Sequence, residues 1–232
     1  MPKLLLSITT ILLSCCLISN RCKAQDYCSP NLYFDSPENL LSQYVQIPSI
    51  SGNEYEAGDF LKRLFLCNGF HVRVFSEEHY AYNLAASIYP LNSGKPNIVL
   101  LSHMDVVPPT IGVPGKFSAF DGTIADGCVW GRGAIDNKGM LTMQYFAALN
   151  YLDISKEKEL PFNITLLAVS GEETDSEMGA KYVSDNFINE LNPVVVFGEG
   201  GAGIDSVVQS KPHQKVFGIE LAAKRILWLK LS

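Results

Sequence analysis

One histidine and several carboxylates follow apolar segments of the chain that have the character of β-strands. The side chains that share this position are His103, Asp105, Asp136, Glu172, Glu173 and Glu199. Ligands of open α/β sheets bind beyond the carboxyl ends of the strands, so these side chains are expected to converge at one edge of a sheet. An imidazole combined with carboxylate oxygens is a donor set that suits zinc or a related divalent ion. The pattern therefore predicts a metal site.

Each of these features also has an ordinary structural explanation. A single histidine after a strand is usually a hydrogen-bonded polar side chain, and an adjacent pair of glutamates usually faces solvent. The joint arrival of these residues at successive strand ends favours the metal site over the separate explanations. Within such a site, Asp105 could orient the imidazole of His103. The adjacent Glu172 and Glu173 allow one carboxylate to bind metal while the other transfers protons.

Apolar strands that alternate with amphipathic helices connect the residues of interest. Strands are predicted at residues 72–75, 84–88, 97–102, 164–169, 194–197, 216–221 and 226–231. Helices are predicted at residues 36–45, 54–67, 138–152 and 177–190. The Pro- and Gly-rich stretch 107–126 is predicted to be a loop. This order predicts an α/β domain with a largely parallel sheet that is flanked by helices and buried on both faces.

The bulk composition limits the classes of protein that need to be considered. The chain has 232 residues, of which 47% are hydrophobic, and this is enough for one sizeable domain with a hydrophobic core. Its formal net charge of -6 and its pI near 5.2 argue against a nucleic-acid-binding protein. The sequence has no basic stripe of Lys and Arg that would contradict this exclusion.

The first residues of the chain differ from the rest. A positively charged start precedes an uncharged apolar run at residues 4–18, which is short for a membrane span, and Ala24 offers a small residue for cleavage. This pattern predicts a signal peptide at residues 1–24, which leaves 25–232 as a secreted or periplasmic domain. An uncleaved anchor is the main alternative, and a weak lipobox that ends at Cys15 leaves a lipid anchor open.

Three cysteines remain after the predicted cleavage, namely Cys28, Cys67 and Cys128. Their spacing matches no metal-binding motif. An exported protein allows one disulfide, but no feature of the sequence identifies the pair. We therefore expect Cys67 and Cys128 to be small buried hydrophobic residues.

Three stretches resemble the metal-site motifs of a known family, and they are residues 102–108 (SHMDVVP), 130–138 (WGRGAIDNK) and 171–173 (GEE). The family is that of the co-catalytic zinc metallopeptidases, which includes aminoacylase, yeast carboxypeptidase S, bacterial glutamate carboxypeptidase and succinyl-diaminopimelate desuccinylase. The resemblance extends from about Ser36 to the end of the chain. A fourth stretch, GEGG at 198–201, looks most like the carboxypeptidase S branch.

This resemblance implies a role for each candidate residue. The implied metal ligands are His103 and Glu199 for a first ion, Asp136 as the bridge between two ions, and Glu173 for the second ion. The implied catalytic residues are Glu172, as the general base, and Asp105, which orients the histidine ligand. The resemblance also implies a cis peptide bond between Asp136 and Asn137.

The implied reaction is hydrolysis of an amide bond in a small peptide or an N-acyl amino acid. Two Zn²⁺ ions, with Co²⁺ or Mn²⁺ as alternatives, would hold a water molecule between them and lower its pKa. Glu172 would take a proton from that water and return it to the leaving amine.

Two features of the family have no counterpart in the sequence. Family members supply a further histidine ligand from near their C-terminus, and they insert a lid domain that often mediates dimerisation. We interpret His71, His79 and His213 as ordinary polar residues. We therefore expect a catalytic domain that is incomplete at its C-terminus, lacks the lid, and does not dimerise through it.

Two other interpretations remain open at this point. The chain could be a truncated, catalytically impaired paralogue that only binds metal or a partner. It could also be an aminopeptidase of a related zinc clan, which would use similar site chemistry. The string from Asp136 to Lys138 and the pair Pro108 and Pro109 favour the first family over that clan.

Overall fold

The computed structural model describes residues 28, 32–110, 115–200, 202–204, 207–211 and 213–218. The predicted signal peptide and the predicted strand at 226–231 lie outside these residues. The chain divides into two units, Met1–Phe197 and Gly198–Ser232, which are described separately.

Among the described residues of the first unit, four α-helices and seven strands are the main elements. In chain order they are α1 (Pro37–Val45), α2 (Tyr55–Cys67), β1 (His71–Glu78), β2 (Ala81–Ser87), β3 (Asn97–His103), β4 (Thr123–Ala125), β5 (Cys128–Trp130), α3 (Lys138–Glu157), β6 (Asn163–Val169), α4 (Ala180–Leu191) and β7 (Pro193–Phe197). Five strands build the main sheet in the order β1-β2-β6-β3-β7. β2 pairs antiparallel with β1 and β6, whereas β6, β3 and β7 are parallel. The predicted α/β fold with a mostly parallel sheet is confirmed.

The helices begin and end at the residues whose chemistry favours those positions. Ser36 precedes α1, and its hydroxyl accepts a hydrogen bond from the backbone N–H of Asn39 at 3.4 Å. Pro37 occupies the first turn, where a missing N–H leaves no intrahelical hydrogen bond unmade. α2 ends at Cys67 and is followed by Asn68 and Gly69, and Gly69 has a φ of +90°, a conformation that favours glycine.

The sheet has a hydrophobic core on each face. Side chains of β6 alternate between the two cores, since Leu166 packs with the cluster beneath α1, α2 and α3, and Leu167 packs with the cluster beneath α4. All seven residues of β2 and all seven of β6 are buried. For these two strands, the prediction of burial on both faces is confirmed.

β7 departs from that prediction. It pairs with β3 at the edge of the sheet, and its apolar residues are largely exposed, with Val194 at 64% and Phe197 at 54%. A run of apolar residues predicts a buried strand only where other elements cover both of its faces. Within the described part of the first unit, β7 is not covered in this way.

Two element boundaries also differ from the sequence predictions. The stretch 107–126, predicted to be a loop, contains β4, which forms a hairpin with β5 through Asp126 and Gly127. Both turn residues have positive φ, 54° and 74°, as a tight hairpin turn requires. α4 begins at Ala180 rather than at residue 177, because residues 171–179 form a series of turns.

The prediction for the cysteines is wrong. Cys67, in the last turn of α2, forms a disulfide with Cys28, and Cys128 is an exposed free thiol on the β4–β5 hairpin. Further contacts tie the start of the described chain to the end of α2. The hydroxyl of Tyr33 donates to the carbonyl of Cys67 at 3.1 Å, and the amide of Asn68 donates to the carbonyl of Leu32 at 3.0 Å. The partner of Cys67 thus depends on the path of a distant segment.

The second unit contains a two-stranded antiparallel sheet of β8 (Ala202–Ile204) and β9 (Val216–Gly218). The strand predicted at 216–221 therefore begins where expected, and its remainder lies outside the described residues. Over the described parts of both units, no helix is at once long enough and apolar enough to span a bilayer.

Candidate metal centre

His103 is the last residue of β3, and its side chain is 2% exposed. β3 runs parallel to β6, and the register places His103 opposite Val169, the last residue of β6. The 171–173 loop follows directly after β6. Parallel pairing therefore brings the histidine and the glutamate pair to the same edge of the sheet, as the sequence predicts.

The imidazole of His103 is held by contacts on both ring nitrogens. Nδ1 lies 3.0 Å from the backbone oxygen of Asp105 and 3.4 Å from its carboxylate oxygen Oδ1. Nε2 lies 2.9 Å from Oδ1 of Asp136 and 3.7 Å from Oε2 of Glu172. A hydrogen atom on Nδ1 would be donated to Asp105, which would leave the lone pair of Nε2 directed at the other carboxylates.

Asp105 is a fully buried carboxylate that connects three parts of the site. It accepts hydrogen bonds from the Ser51 hydroxyl at 2.8 Å and from the backbone N–H groups of Glu172 and Glu173 at 3.0 and 3.1 Å. Burial raises the pKa of Asp105, but the hydrogen bonds from His103, Ser51 and the two amides together lower that pKa below its ordinary value. The carboxylate is therefore charged at neutral pH.

Because Asp105 supports both the imidazole and the glutamate loop, we expect Asp105→Ala to lower metal affinity about 10–100-fold. The change removes the carboxylate oxygen that lies 3.4 Å from Nδ1 of His103 and the acceptor for two amides of the loop, while the backbone oxygen of residue 105 still contacts Nδ1. Competition against a chelator of known affinity measures the effect. Asp185→Ala, which removes an exposed carboxylate on α4, is the control and should leave the affinity unchanged. Equal affinities in the two variants would contradict this role of Asp105.

Asp136 lies in the loop that leads from β5 into α3, and its side chain is 63% exposed. The peptide bond between Asp136 and Asn137 is cis, as the family resemblance implies. Lys138 follows directly and is fully buried, with Nζ donating to the carbonyls of Tyr44 at 3.0 Å and Ile47 at 2.7 Å. This lysine ties the loop that carries Asp136 to the end of α1.

Removal of the buried side-chain amine of Lys138 should therefore destabilise the domain. We expect Lys138→Met to lower the free energy of unfolding by about 2–3 kcal/mol, because two buried carbonyls lose their hydrogen-bond donor. Denaturant unfolding measures the change. Lys156→Met is the control, since Lys156 is 66% exposed in an ion pair with Asp153; it should alter stability by less than about 0.5 kcal/mol. Equal effects of the two changes would contradict the anchoring role of Lys138.

His103, Asp136 and Glu173 converge closely enough to hold one metal ion. Each offers one ligand atom, and these atoms all lie within 4.8 Å of one another. One imidazole nitrogen and two carboxylate oxygens fit the donor preference of zinc and related divalent ions. The histidine is buried while Asp136 and Glu172 are 63% and 44% exposed, so the cluster opens to solvent on its acidic side.

The remaining predicted ligand lies in the other unit. Glu199 comes two residues after the end of β7, and its contact with the first metal stays a prediction. The roles assigned to the other candidates also stay predictions, although the structure brings their side chains together. His71, His79 and His213 are exposed, and none of them belongs to a candidate metal group among the described residues.

The sequence prediction missed one residue of this region. Glu54 was assigned to the start of α2, but its side chain is fully buried near Asp105. Glu54 precedes the first residue of that helix, and its Oε1 accepts a hydrogen bond from the backbone N–H of Gly52 at 3.0 Å. An acidic residue at a helix start is usually exposed, so helical periodicity gave no signal of this burial.

The family model described as peptidase family M20/M25/M40 matches residues 99–219, just over half of the chain. The chain belongs to this family. The matched segment includes the described cluster of His103, Asp136 and Glu173 together with Glu172. The family resemblance inferred from the sequence motifs is confirmed.

Curated relatives and solved structures agree with membership of the M20 peptidases. A probable carboxypeptidase of Talaromyces marneffei is 34% identical over 178 residues, 69% of this chain and 38% of the relative. The succinyl-diaminopimelate desuccinylase of Orientia tsutsugamushi is 30% identical over 146 residues, 61% of this chain and 36% of the relative. A crystal structure of an M20 family metallo-carboxypeptidase from Sulfolobus solfataricus is 29% identical, with a TM-score of 0.60 over 74% of this chain and 38% of that one. The chain thus spans about two-fifths of the length of these relatives.

Proposed function

We propose that this chain carries metal-binding and proton-transferring residues of a zinc-dependent hydrolase that cleaves amide bonds in peptides or N-acyl amino acids. The observation that carries the proposal is the convergence of His103, Asp136 and Glu173 beside Glu172. Membership of a peptidase family supports the same reaction class. The proposal concerns the activity of the whole protein, called the full chain below, because this sequence spans only about two-fifths of the length of the relatives.

The proposed metal ligands are Nε2 of His103 and the carboxylates of Asp136 and Glu173, with Glu199 as a further ligand. When bound, divalent ions polarise the amide carbonyl and lower the pKa of water toward neutrality. The imidazole and carboxylate donors suit Zn²⁺ and also admit Co²⁺ or Mn²⁺. The buried Asp105 keeps the imidazole oriented by contacting Nδ1 through its backbone oxygen.

Glu172 is the proposed general base. Its carboxylate is 44% exposed, with Oε2 at 3.7 Å from Nε2 of His103, so that it is accessible to water while remaining beside the proposed metal ligands. Glu172 accepts a proton as the oxygen of the attacking water bonds to the carbonyl carbon. It then delivers that proton to the amide nitrogen as the C–N bond breaks, which releases the amine.

The substrate class is inferred from the printed names of the relatives. They include probable carboxypeptidases, an M20 family metallo-carboxypeptidase and a succinyl-diaminopimelate desuccinylase. We therefore propose a small peptide or an N-acyl amino acid as substrate.

Metal-dependent turnover tests the proposed function. The full chain is stripped with a chelator, reloaded with Zn²⁺, Co²⁺ or Mn²⁺, and assayed with N-acyl amino acids and short peptides. We expect turnover to be absent after stripping and to return with metal. Stoichiometric metal binding with no turnover of any substrate would favour the alternative that the protein only binds metal or a partner.

We also propose that residues 1–24 direct export of the protein. The disulfide between Cys28 and Cys67 supports this proposal, because structural disulfides persist mainly in oxidising compartments. We expect the mature protein to begin near residue 25 and to contain the oxidised pair, as measured by intact-mass spectrometry before and after reduction. An intact Met1 in a cytosolic fraction, with Cys28 and Cys67 both reduced, would contradict export.

A further inference from the structure

Glu54 is a buried carboxyl group that the proposed reaction does not use. Its side chain is fully buried, and Oε1 accepts a hydrogen bond from the backbone N–H of Gly52 at 3.0 Å. Its second oxygen, Oε2, is buried and has no hydrogen-bond partner among the described residues. An ionised carboxylate in this position would leave an acceptor without a donor, which is costly away from water. A proton on Glu54 removes the charge.

Glu54 and Asp105 lie together beneath the loop that carries the glutamate pair. Asp105 accepts hydrogen bonds from the backbone N–H groups of Glu172 and Glu173 at 3.0 and 3.1 Å. The preceding backbone N–H, that of Gly171, lies close enough to the Glu54 carboxyl group to lower its pKa. Three successive amides of the 171–173 loop therefore face two neighbouring carboxyl groups. The segment before α2 holds the same pair from the other side, through the Ser51 hydroxyl on Asp105 and the Gly52 N–H on Glu54.

We propose that Glu54 is a positioning residue that, together with Asp105, fixes the 171–173 loop and thereby the side chain of Glu172. This role rests on the proposed function of Glu172 as general base. Glu54 carries the proton of the pair, and Asp105 carries the charge. The loop is thus held by a single negative charge and one neutral carboxyl group, because two ionised carboxylates side by side would repel each other.

The electrostatics of Glu54 and Asp105 support a proton on Glu54 and a charge on Asp105. Burial raises the pKa of Glu54 to about 7, the N–H of Gly52 opposes that rise, and the charge of Asp105 adds to it. Asp105 is the charged side chain that acts on Glu54. His103 contacts Asp105 rather than Glu54, and Glu172 and Glu173 present backbone N–H groups to Asp105.

The direction of the pH effect follows from the raised pKa. In the unfolded chain Glu54 titrates near its ordinary value of 4.5, whereas in the folded protein it titrates near 7. Its contribution to stability is therefore fully present below pH 4.5 and is lost as the pH rises through about 7. The folding equilibrium constant should fall by about 300-fold over this range on account of Glu54 alone.

The first experiment compares Glu54→Gln with Glu56→Gln in the metal-loaded full chain. Glu56 is an exposed glutamate two residues away, in the first turn of α2, and is the matched control. Denaturant unfolding is measured from pH 4.5 to above 7. We expect the wild type and Glu56→Gln to lose stability relative to Glu54→Gln as the pH rises through about 7. The infrared band of a protonated carboxyl group at slightly acid pH should also disappear in Glu54→Gln. A stability difference between Glu56→Gln and Glu54→Gln that does not change with pH, or retention of the band, would overturn the protonation of Glu54.

The second experiment tests positioning. We expect Glu54→Ala to lower kcat about 10–100-fold with KM nearly unchanged, because small displacements of a catalytic group have effects of this size. Glu54→Gln should restore kcat to near the wild-type value. Amide hydrogen exchange at Glu172 and Glu173 should be faster in Glu54→Ala than in Glu54→Gln. Unchanged exchange in Glu54→Ala would overturn the positioning role. Absence of turnover in the wild type would reject the proposed function, while the exchange, infrared and unfolding results would still decide the role of Glu54.

Discussion

Glu172→Gln should lower kcat of the full chain about 1000-fold while leaving its metal content unchanged, since general acid–base catalysis typically contributes 10²–10⁴-fold. Glutamine preserves the size and the hydrogen-bonding shape of the side chain but cannot accept a proton. The backbone N–H of residue 172 still donates to Asp105, so the loop should keep its position. Turnover of an N-acyl amino acid and metal content per chain are measured on the same preparation.

Glu177→Gln is the control for this experiment. Glu177 is an exposed glutamate five residues further along the chain, in an ion pair with Lys181, and its replacement should leave kcat unchanged. Loss of metal in Glu172→Gln would show that Glu172 is a ligand. The roles of Glu172 and Glu173 would then be the reverse of those proposed.

His103→Ala is expected to have the other large effect, a fall of more than about 100-fold in metal affinity together with loss of turnover. Loss of a group that only supports a ligand typically costs 10–100-fold, so loss of the imidazole itself should cost more. His103 is the single nitrogen donor in the described cluster with Asp136 and Glu173. Elemental analysis and chelator competition measure the change.

His79→Ala is the matched control, because His79 is exposed in the turn between β1 and β2 and contacts the ring of Tyr55. It should bind metal like the wild type. If His103→Ala bound metal with the affinity of the wild type, the 2.9 Å contact between His103 and Asp136 would be an ordinary hydrogen bond, and the two residues would not be metal ligands.

The position of His103 could be predicted because a buried strand and its end are both recognisable from neighbouring residues in the sequence. The apolar run before His103 indicates a buried strand, and in parallel pairing the residues after neighbouring strands meet at one edge. The same reasoning placed Glu172 and Glu173 near the histidine. Asp136 was identified through a motif, since the loop that carries it has no regular periodicity.

Features that depend on distant parts of the chain could not be predicted in this way. The burial of Glu54 arises from contact with Asp105 and with the 171–173 loop, and neither is apparent from the pattern of α2. The pairing of Cys67 with Cys28 depends on the path of the segment before α1. The exposure of β7 depends on which elements cover it, and an apolar sequence alone does not specify them. The hairpin at Asp126 and Gly127 is different, because an Asp-Gly pair by itself favours a two-residue hairpin turn. The prediction of a loop at 107–126 did not take this pair into account.

His103, Asp136 and Glu173 are proposed to bind catalytic zinc beside Glu172. The most direct test is a crystal structure of the full chain grown with zinc, with anomalous diffraction recorded on both sides of the zinc absorption edge. We expect an anomalous peak about 2.0–2.1 Å from Nε2 of His103, within coordination distance of the carboxylate of Asp136. A zinc-loaded, active enzyme whose anomalous peaks all lie away from His103 would contradict the claim.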